Sequence, residues 1–218
     1  MAILIYHITH VKNLASIIRT EGLWCDAERL RQGFGSVGIA HQGLKDRRAR
    51  TPVRSRDGHS IAAGGMLANY VPFYFANRSP MLFSIKTGHV AGYDGGQSGV
   101  VYLVTSVERV ARGDRRWCFT DGHAVEAMTE FFDCVDALNK VDWAVVKSWS
   151  WKNTESDPDR KRRKQAEFFV HGSAPWDWIE QIGVYNRSVQ GAVQEILAAE
   201  QPSHQPPVNV QARWYYGD

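Results

Sequence analysis

Short β-branched and aromatic runs alternate irregularly with helix-like stretches along this chain, and that irregular order limits the fold more than any other feature. Val100–Val104 is a β-branched run suited to a buried strand. Ile3–His7, Val71–Phe75, Met81–Ile85, Glu167–Val170 and Ile179–Tyr185 read as further strands, the second and third flanking the turn Asn77-Arg78-Ser79-Pro80. Val208–Tyr216, after a Pro-containing linker, reads as a last strand. Thr9 is placed to cap a helix with Leu14, Ile17 and Ile18 on one face, stopped by Gly22. Thr120 is placed to cap another through Ala124, Ala127, Met128 and Phe131. Ser188–Glu200 puts Val189, Val193, Ile196 and Leu197 on one helical face. Cys25 to about Gly65 is polar, basic and Gly-containing, and reads as a long functional loop with one short helix around Ile39–Arg50. These elements do not alternate as βαβ units, so the pattern predicts an α+β fold rather than a doubly wound sheet. No repeat or linker divides the 218 residues, and one domain over 1–218 is expected.

Several chemistries lack their signatures. There is no GxGxxG, Walker loop, HExxH or GxSxG. Cys25, Cys118 and Cys134 are an odd number without CxxC spacing, so neither a disulfide framework nor a metal site is expected. The start, MAILIYHITH, has no basic region followed by a long apolar run, so neither a secretory signal nor a membrane anchor is expected, and a cytoplasmic location fits. The net charge is only +3, but the cations are clustered: Lys45, Arg47, Arg48, Arg50, Arg54 and Arg56 in one stretch, Arg160–Lys164 in another. Such clusters either neutralise phosphates or form a solvated face.

Three segments carry residues suited to chemistry. In Tyr6-His7-Ile8-Thr9-His10, a His at a strand end and a Thr two positions on share a face and can bind ribose hydroxyls. Val71–Met81 offers aromatics for a flat ring and Arg78 for a phosphate. Arg163–His171 places the Glu167 carboxylate at the start of an apolar strand. The loop before it carries Trp149, Trp151 and Asn153 and then the basic run, an interleaving of aromatics and cations that suits single-stranded nucleic acid.

Together these segments, with Leu44-Lys45-Asp46-Arg47-Arg48 and Thr120-Asp121-Gly122-His123-Ala124, resemble the DarT family of DNA ADP-ribosyltransferase toxins, in the same order along most of the chain. The resemblance implies an ADP-ribosyltransferase fold: a split, strongly twisted mixed sheet with flanking helices and long substrate loops, clasping NAD+ as co-substrate. It implies transfer of ADP-ribose to a base, commonly thymine, in single-stranded DNA, and a macrodomain antitoxin, DarG, as partner. Carried across by position, Glu167 matches the catalytic glutamate and Arg48, with Arg47 beside it, the arginine that acts with it. His7 and Thr9 match the NAD-contacting start of the fold, with Tyr74, Phe75 and Arg78 on the cofactor side. Tyr74 and Phe75 alternate along their strand, and either can flank the nicotinamide. Arg47, His123, Trp149, Trp151, Asn153, Arg162 and Arg163 fall on the DNA side. The mechanism implied is cleavage of the nicotinamide–ribose bond, with the carboxylate stabilising positive charge that develops at the anomeric carbon.

Two other readings fit parts of the sequence. His7-Ile8-Thr9 and His171-Gly172-Ser173 are two H-x-[ST] elements, as in two-histidine phosphoesterases, although their separation is long for that compact fold. A non-catalytic single-strand-binding module would account for the Trp and Arg residues alone.

Overall fold

The computed structural model describes residues 2–217. In chain order the elements are β1 (Leu4–His10), α1 (Leu14–Arg19), β2 (Gly22–Trp24), α2 (Asp26–Gln32), α3 (Gln42–Arg50), β3 (Tyr70–Tyr74), α4 (Pro80–Lys86), β4 (Val100–Ser106), α5 (Val107–Ala111), β5 (Trp117–Thr120), β6 (Phe131–Phe132), α6 (Trp143–Lys147), α7 (Arg160–Lys164), β7 (Glu167–His171), β8 (Ser173–Pro175), β9 (Gln181–Val184), α8 (Arg187–Glu200) and β10 (Val208–Val210).

Eight strands form one sheet in the order β10-β9-β4-β1-β3-β7-β5-β6, while β2 and β8 form a two-stranded sheet. The large sheet is mixed: β10 runs parallel to β9 and the other pairs are antiparallel. All seven residues of β4 are buried, as its β-branched run predicts. Alternation then divides it between two cores. Val101 and Leu103 join Leu14, Ile18, Val193 and Leu197 of α1 and α8 on one face, while Val100, Tyr102 and Val104 join Leu82 and Ile85 of α4 on the other.

One register explains where a cleft opens. β1 pairs with β4 along its whole length, Leu4 with Ser106 through His10 with Val100. Against β3 it pairs only at Tyr6 and Tyr74. β3 continues instead with β7, Tyr70 opposite His171 through Tyr74 opposite Glu167. The sheet therefore splits between β1 and β3, and His7 bridges the split by donating from Nδ1 to the Pro72 carbonyl at 2.8 Å.

Several local expectations are corrected. Met81–Ile85 is helix, not strand: the Ser79 hydroxyl accepts from the Leu82 amide at 3.1 Å and Pro80 occupies the first turn, a helix start that outweighs the apolar run. Thr9 lies inside β1, and the cap belongs to His10, whose Nδ1 accepts from the Lys12 amide. Thr120 ends β5 instead of opening a helix, and residues 121–130 are turns and bends. Gly22 starts β2 rather than merely stopping α1; with φ +150° it brings β2 so close to β8 that a Cβ would lie 2.3 Å from the Ala174 carbonyl oxygen. The stretch expected as a long loop after Cys25 contains α2 as well as α3. The last strand is short, and Tyr215 beyond it plugs the core, donating to the Val100 carbonyl at 2.7 Å.

Candidate active site

The split in the sheet continues into a cleft of about 1110 Å³, counting its open mouth, lined from β1, α1, α2, the Phe34–Ala40 strap, α3, β3, α4 and the first residue of β7. Concave, largely apolar clefts with a few convergent polar groups are where small molecules and cofactors bind. The strap is sewn down by a reciprocal pair: Asn13 donates to the Val37 carbonyl at 3.0 Å and accepts from the Val37 amide at 2.7 Å.

Tyr74 and Glu167 are direct cross-strand partners, so their side chains share a face. Both line the cleft. Phe75 faces the other way and packs edge-on against Phe119, Trp143 and Phe168. Of the two aromatics left open by the sequence, Tyr74 is at the cleft and Phe75 belongs to the core. The Tyr74 hydroxyl contacts Met81 Sδ at 3.2 Å, and burial, then the nearby Glu167 carboxylate, raise its pKa well above the ordinary phenol range. Tyr74 is a neutral wall at working pH.

Glu167 is 5% exposed. Its Oε1 lies 3.7 Å from Arg48 Nη1, and its Oε2 accepts from the Ala124 amide at 3.2 Å. Arg48 is itself buried: Nη2 donates to the carbonyls of Leu67 and Tyr70, and the guanidinium sits 5.4 Å from the Phe169 ring centre. Arg47, one step round α3, points elsewhere, donating to the Val125 carbonyl at 3.0 Å and to Glu126 at 3.2 Å. Arg48, not Arg47, faces the carboxylate.

His7 and Thr9 line the opposite wall. Burial pulls the His7 pKa down to about 4, against the opposing pull of its bond to Pro72. The ring is neutral at pH 7. Because a carbonyl can only accept, the proton sits on Nδ1, and Nε2 is left as an acceptor. Thr9 Oγ1 accepts from Asn13 Nδ2 at 3.1 Å. Sequence reasoning missed Asn13 and Arg29, which also line the cleft; Arg29 pairs loosely with Asp26 at 3.9 Å. The signal of Arg29 was masked because α2 was read as loop, whereas Asn13 lies at the start of α1 and was passed over among the helix-opening residues. Lys45, within the quoted Leu44–Arg48 stretch, is there too.

The remaining expected site residues lie beside the cleft. Arg78 does not line it: its guanidinium stacks 3.6 Å from the centre of the Trp149 ring and donates to the Arg213 carbonyl at 2.6 Å. Trp149 is 77% exposed. Trp151 packs edge-on against Phe83. Asn153 Oδ1 accepts from the Lys161 amide at 2.7 Å, tying the loop to α7. His123 sits over the Ala124 turn, 3.7 Å from Glu126. Arg162 and Arg163 do not stand free for phosphate. Arg162 pairs with Asp159 at 2.8 Å and Asp121 at 3.1 Å, and Arg163 with Asp142 and Asp157. Lys164 is buried, donates to the Val146 and Ser148 carbonyls, and has its pKa pushed down to about 8, mainly by burial. The basic run is the clasp of the preceding loop.

His171 packs on the Tyr70 ring at the far end of β7 and does not line the cleft. The two H-x-[ST] elements therefore do not meet.

Comparison with known proteins agrees with this geometry. The family model described as "ssDNA thymidine ADP-ribosyltransferase, DarT" matches residues 6–216. A DNA ADP-ribosyl transferase of Thermus aquaticus is 36% identical over 213 residues, covering 98% of this chain and 89% of that protein. Among solved structures, DarT of Thermus sp. 2.9 in complex with ADP-ribosylated single-stranded DNA superposes with TM-score 0.89 at 35% identity, over 99% of this chain and 97% of that one. The same protein in complex with NAD+ superposes with TM-score 0.86 at 33% identity, over 99% and 98% of the two chains.

Proposed function

The chain belongs to the DarT family of single-stranded-DNA thymidine ADP-ribosyltransferases, and from that premise we propose that its cleft takes NAD+ and that Glu167 directs transfer of ADP-ribose to a thymine base, releasing nicotinamide. The observation that carries the reading is the buried Glu167–Arg48 pair at the junction of the cleft with the His123–Glu126 turn. One side of the carboxylate meets the cofactor-sized cleft, and the other meets a polar turn open to an acceptor.

The donor set fits a dinucleotide. Arg29 and Lys45 offer positive charge to a pyrophosphate, His7 Nε2 and Thr9 offer partners to ribose hydroxyls, and Tyr74 offers a neutral ring to a flat heterocycle. Glu167 accepts from the ribose hydroxyl next to the anomeric carbon, stabilising the charge that grows there as the bond to nicotinamide breaks. The bonding pair leaves with nicotinamide, the base nitrogen supplies a new pair, and Glu167 is placed to take the proton that nitrogen sheds. Arg48 fixes the carboxylate's orientation.

On the acceptor side, Arg47, His123 and Trp149 are the proposed DNA contacts, with Trp149 stacked on Arg78 as a platform for a neighbouring base. Trp151 and Asn153 support that loop from within. A macrodomain antitoxin of the DarG kind, removing the ADP-ribose, is the proposed protein partner, and the cytoplasm the place of action. Among the described residues no helix is long and apolar enough to cross a membrane.

Incubating the protein with NAD+ and single-stranded oligonucleotides, then weighing the DNA, tests the reading. Gain of one ADP-ribose on thymine-containing strands, lost on annealing the complement, is expected. Shortened fragments would establish a phosphoesterase instead, and unchanged mass with retained binding a binding module.

A further inference from the structure

Glu167 is the first residue of its strand, where a side chain has few neighbours to hold it, yet its two oxygens have separate partners. Oε1 faces Arg48, and Oε2 is held by a backbone amide, that of Ala124. The amide is delivered by a tight turn, in which the Glu126 N–H donates to the His123 carbonyl at 3.0 Å and Ala124 is the second residue. We propose that this turn is a positioning element of the catalytic centre: the Ala124 N–H orients the Glu167 carboxylate for the reaction, while the same turn carries His123 and Glu126 on the acceptor side. This deepens the functional reading above and rests on it.

Four observations make the turn a built device. Thr120, fully buried, accepts from the Glu167 amide at 3.2 Å and donates to the Gly122 carbonyl at 2.6 Å, so one hydroxyl fixes both the root of the glutamate and the entry to the turn. The Thr129 hydroxyl donates to the His123 carbonyl at 2.8 Å. The His123 amide donates to the Arg162 carbonyl at 2.9 Å, and Gly122 lies so close to Arg162 that a Cβ would sit 2.4 Å from Nη1. Arg47, the neighbour of Arg48, grips the outer side of the turn through the Val125 carbonyl and Glu126. Glu167 and the acceptor-facing turn thus share α3 and Thr120 as common anchors, and α7 holds the turn from its other side. A group that moves His123 or Glu126 reaches Oε2 through a single residue.

The experiment deletes one N–H. The second position of such a turn accepts proline readily, and proline keeps the buried Cβ of Ala124 while removing its donor. Ala124→Pro, Ala124→Gly, Thr120→Val and Thr120→Ser are compared with the parent for transfer kinetics on a thymine oligonucleotide and for thermal unfolding, with Glu167→Ala as the inactive control. A hydrogen bond to a charged group sets the expected scale. kcat falls about ten- to hundredfold in Ala124→Pro, with KM for NAD+ and Kd for DNA within about twofold, and Ala124→Gly, which retains the amide, recovers most of it. Thr120→Val falls similarly and Thr120→Ser recovers. A folded Ala124→Pro with parental kcat, or Ala124→Gly falling as far as Ala124→Pro, overturns the proposal. Should Ala124→Pro not fold, the Thr120 pair decides: equal kcat in Val and Ser variants overturns it. A parent that transfers no ADP-ribose, or an active Glu167→Ala, would instead overturn the functional reading.

Discussion

Arg48→Met strands a buried carboxylate, and the cost can be worked from the geometry. At 3.7 Å and an effective dielectric of about 20, the Coulomb attraction is about 4–5 kcal/mol. Desolvation of both charges offsets much of that, and breaking a buried pair from one side costs about 3–5 kcal/mol. The stacking on Phe169 and the two long bonds to Leu67 and Tyr70 are lost as well, together worth about 1–2 kcal/mol. In a Glu167→Gln background Arg48→Met removes a buried cation that already lacks its partner, so its cost is at most that smaller loss. The double-mutant cycle should therefore show a coupling of about 2 kcal/mol or more. At about 2–4 °C per kcal/mol for a chain of this size, Arg48→Met should lower Tm by roughly 8–28 °C, and the same change in Glu167→Gln by no more than about 8 °C. Glu167→Gln alone leaves Arg48 a buried cation without its carboxylate and should also lower Tm, by roughly 6–20 °C, while losing about 10²–10³ in kcat. Urea or thermal unfolding of the four proteins reads the cycle directly. Additivity within about 0.5 kcal/mol would refute the pairing of Arg48 with the Glu167 carboxylate.

Two further outcomes are expected. His7, with its pKa pulled down to about 4 by burial, binds fewer protons folded than unfolded between that value and its usual range near 6.5. Stability is then present above about pH 6.5 and lost as pH falls toward 4, by at most about 3 kcal/mol; His7→Gln should flatten this slope, and identical slopes in urea titrations would show that the ring does not titrate in the fold. Trp149→Ala should weaken single-stranded DNA binding by about 1–3 kcal/mol with unchanged NAD+ affinity, and a parental DNA Kd by fluorescence anisotropy would remove Trp149 from the base platform.

The sequence made the sheet legible where burial follows strand alternation, as in Val100–Val104 and Glu167–Val170. Through the resemblance it also pointed to Glu167, His7 and Thr9, which share one cleft, but it left Arg48 beside Arg47 and Tyr74 beside Phe75, choices that the α3 facing and the β3–β7 register decide. What it hid was decided by capping and by partners far along the chain. The apolar Met81–Ile85 segment suits strand or helix until Ser79 and Pro80 start a helix. Thr120 resembles a cap until β6 and β7 claim its strand as a neighbour. Arg162 and Arg163 look like phosphate ligands because their countercharges, Asp121 and Asp142, lie some 20 to 40 positions upstream. Arg78 is drawn off the cleft by an exposed indole and by the carbonyl of Arg213, near the other end of the chain.

The strand order, with β1 and β3 set between β4 and β7, also divides the chemistry between two halves of the polypeptide. His7, Thr9, Arg48 and Tyr74 precede the exposed Ala91–Asp94 stretch, whereas Glu167 and its turn follow it. The halves interlock through β1 with β4 and β3 with β7. A chain severed at that stretch leaves the proposed dinucleotide-side residues on one fragment and Glu167 on the other, with β1 and β3 each parted from a strand partner, so activity should appear only where the two fragments recombine. A genome-modifying enzyme of this shape lends itself to fragment complementation, with DNA marking reporting that two tethered halves have met.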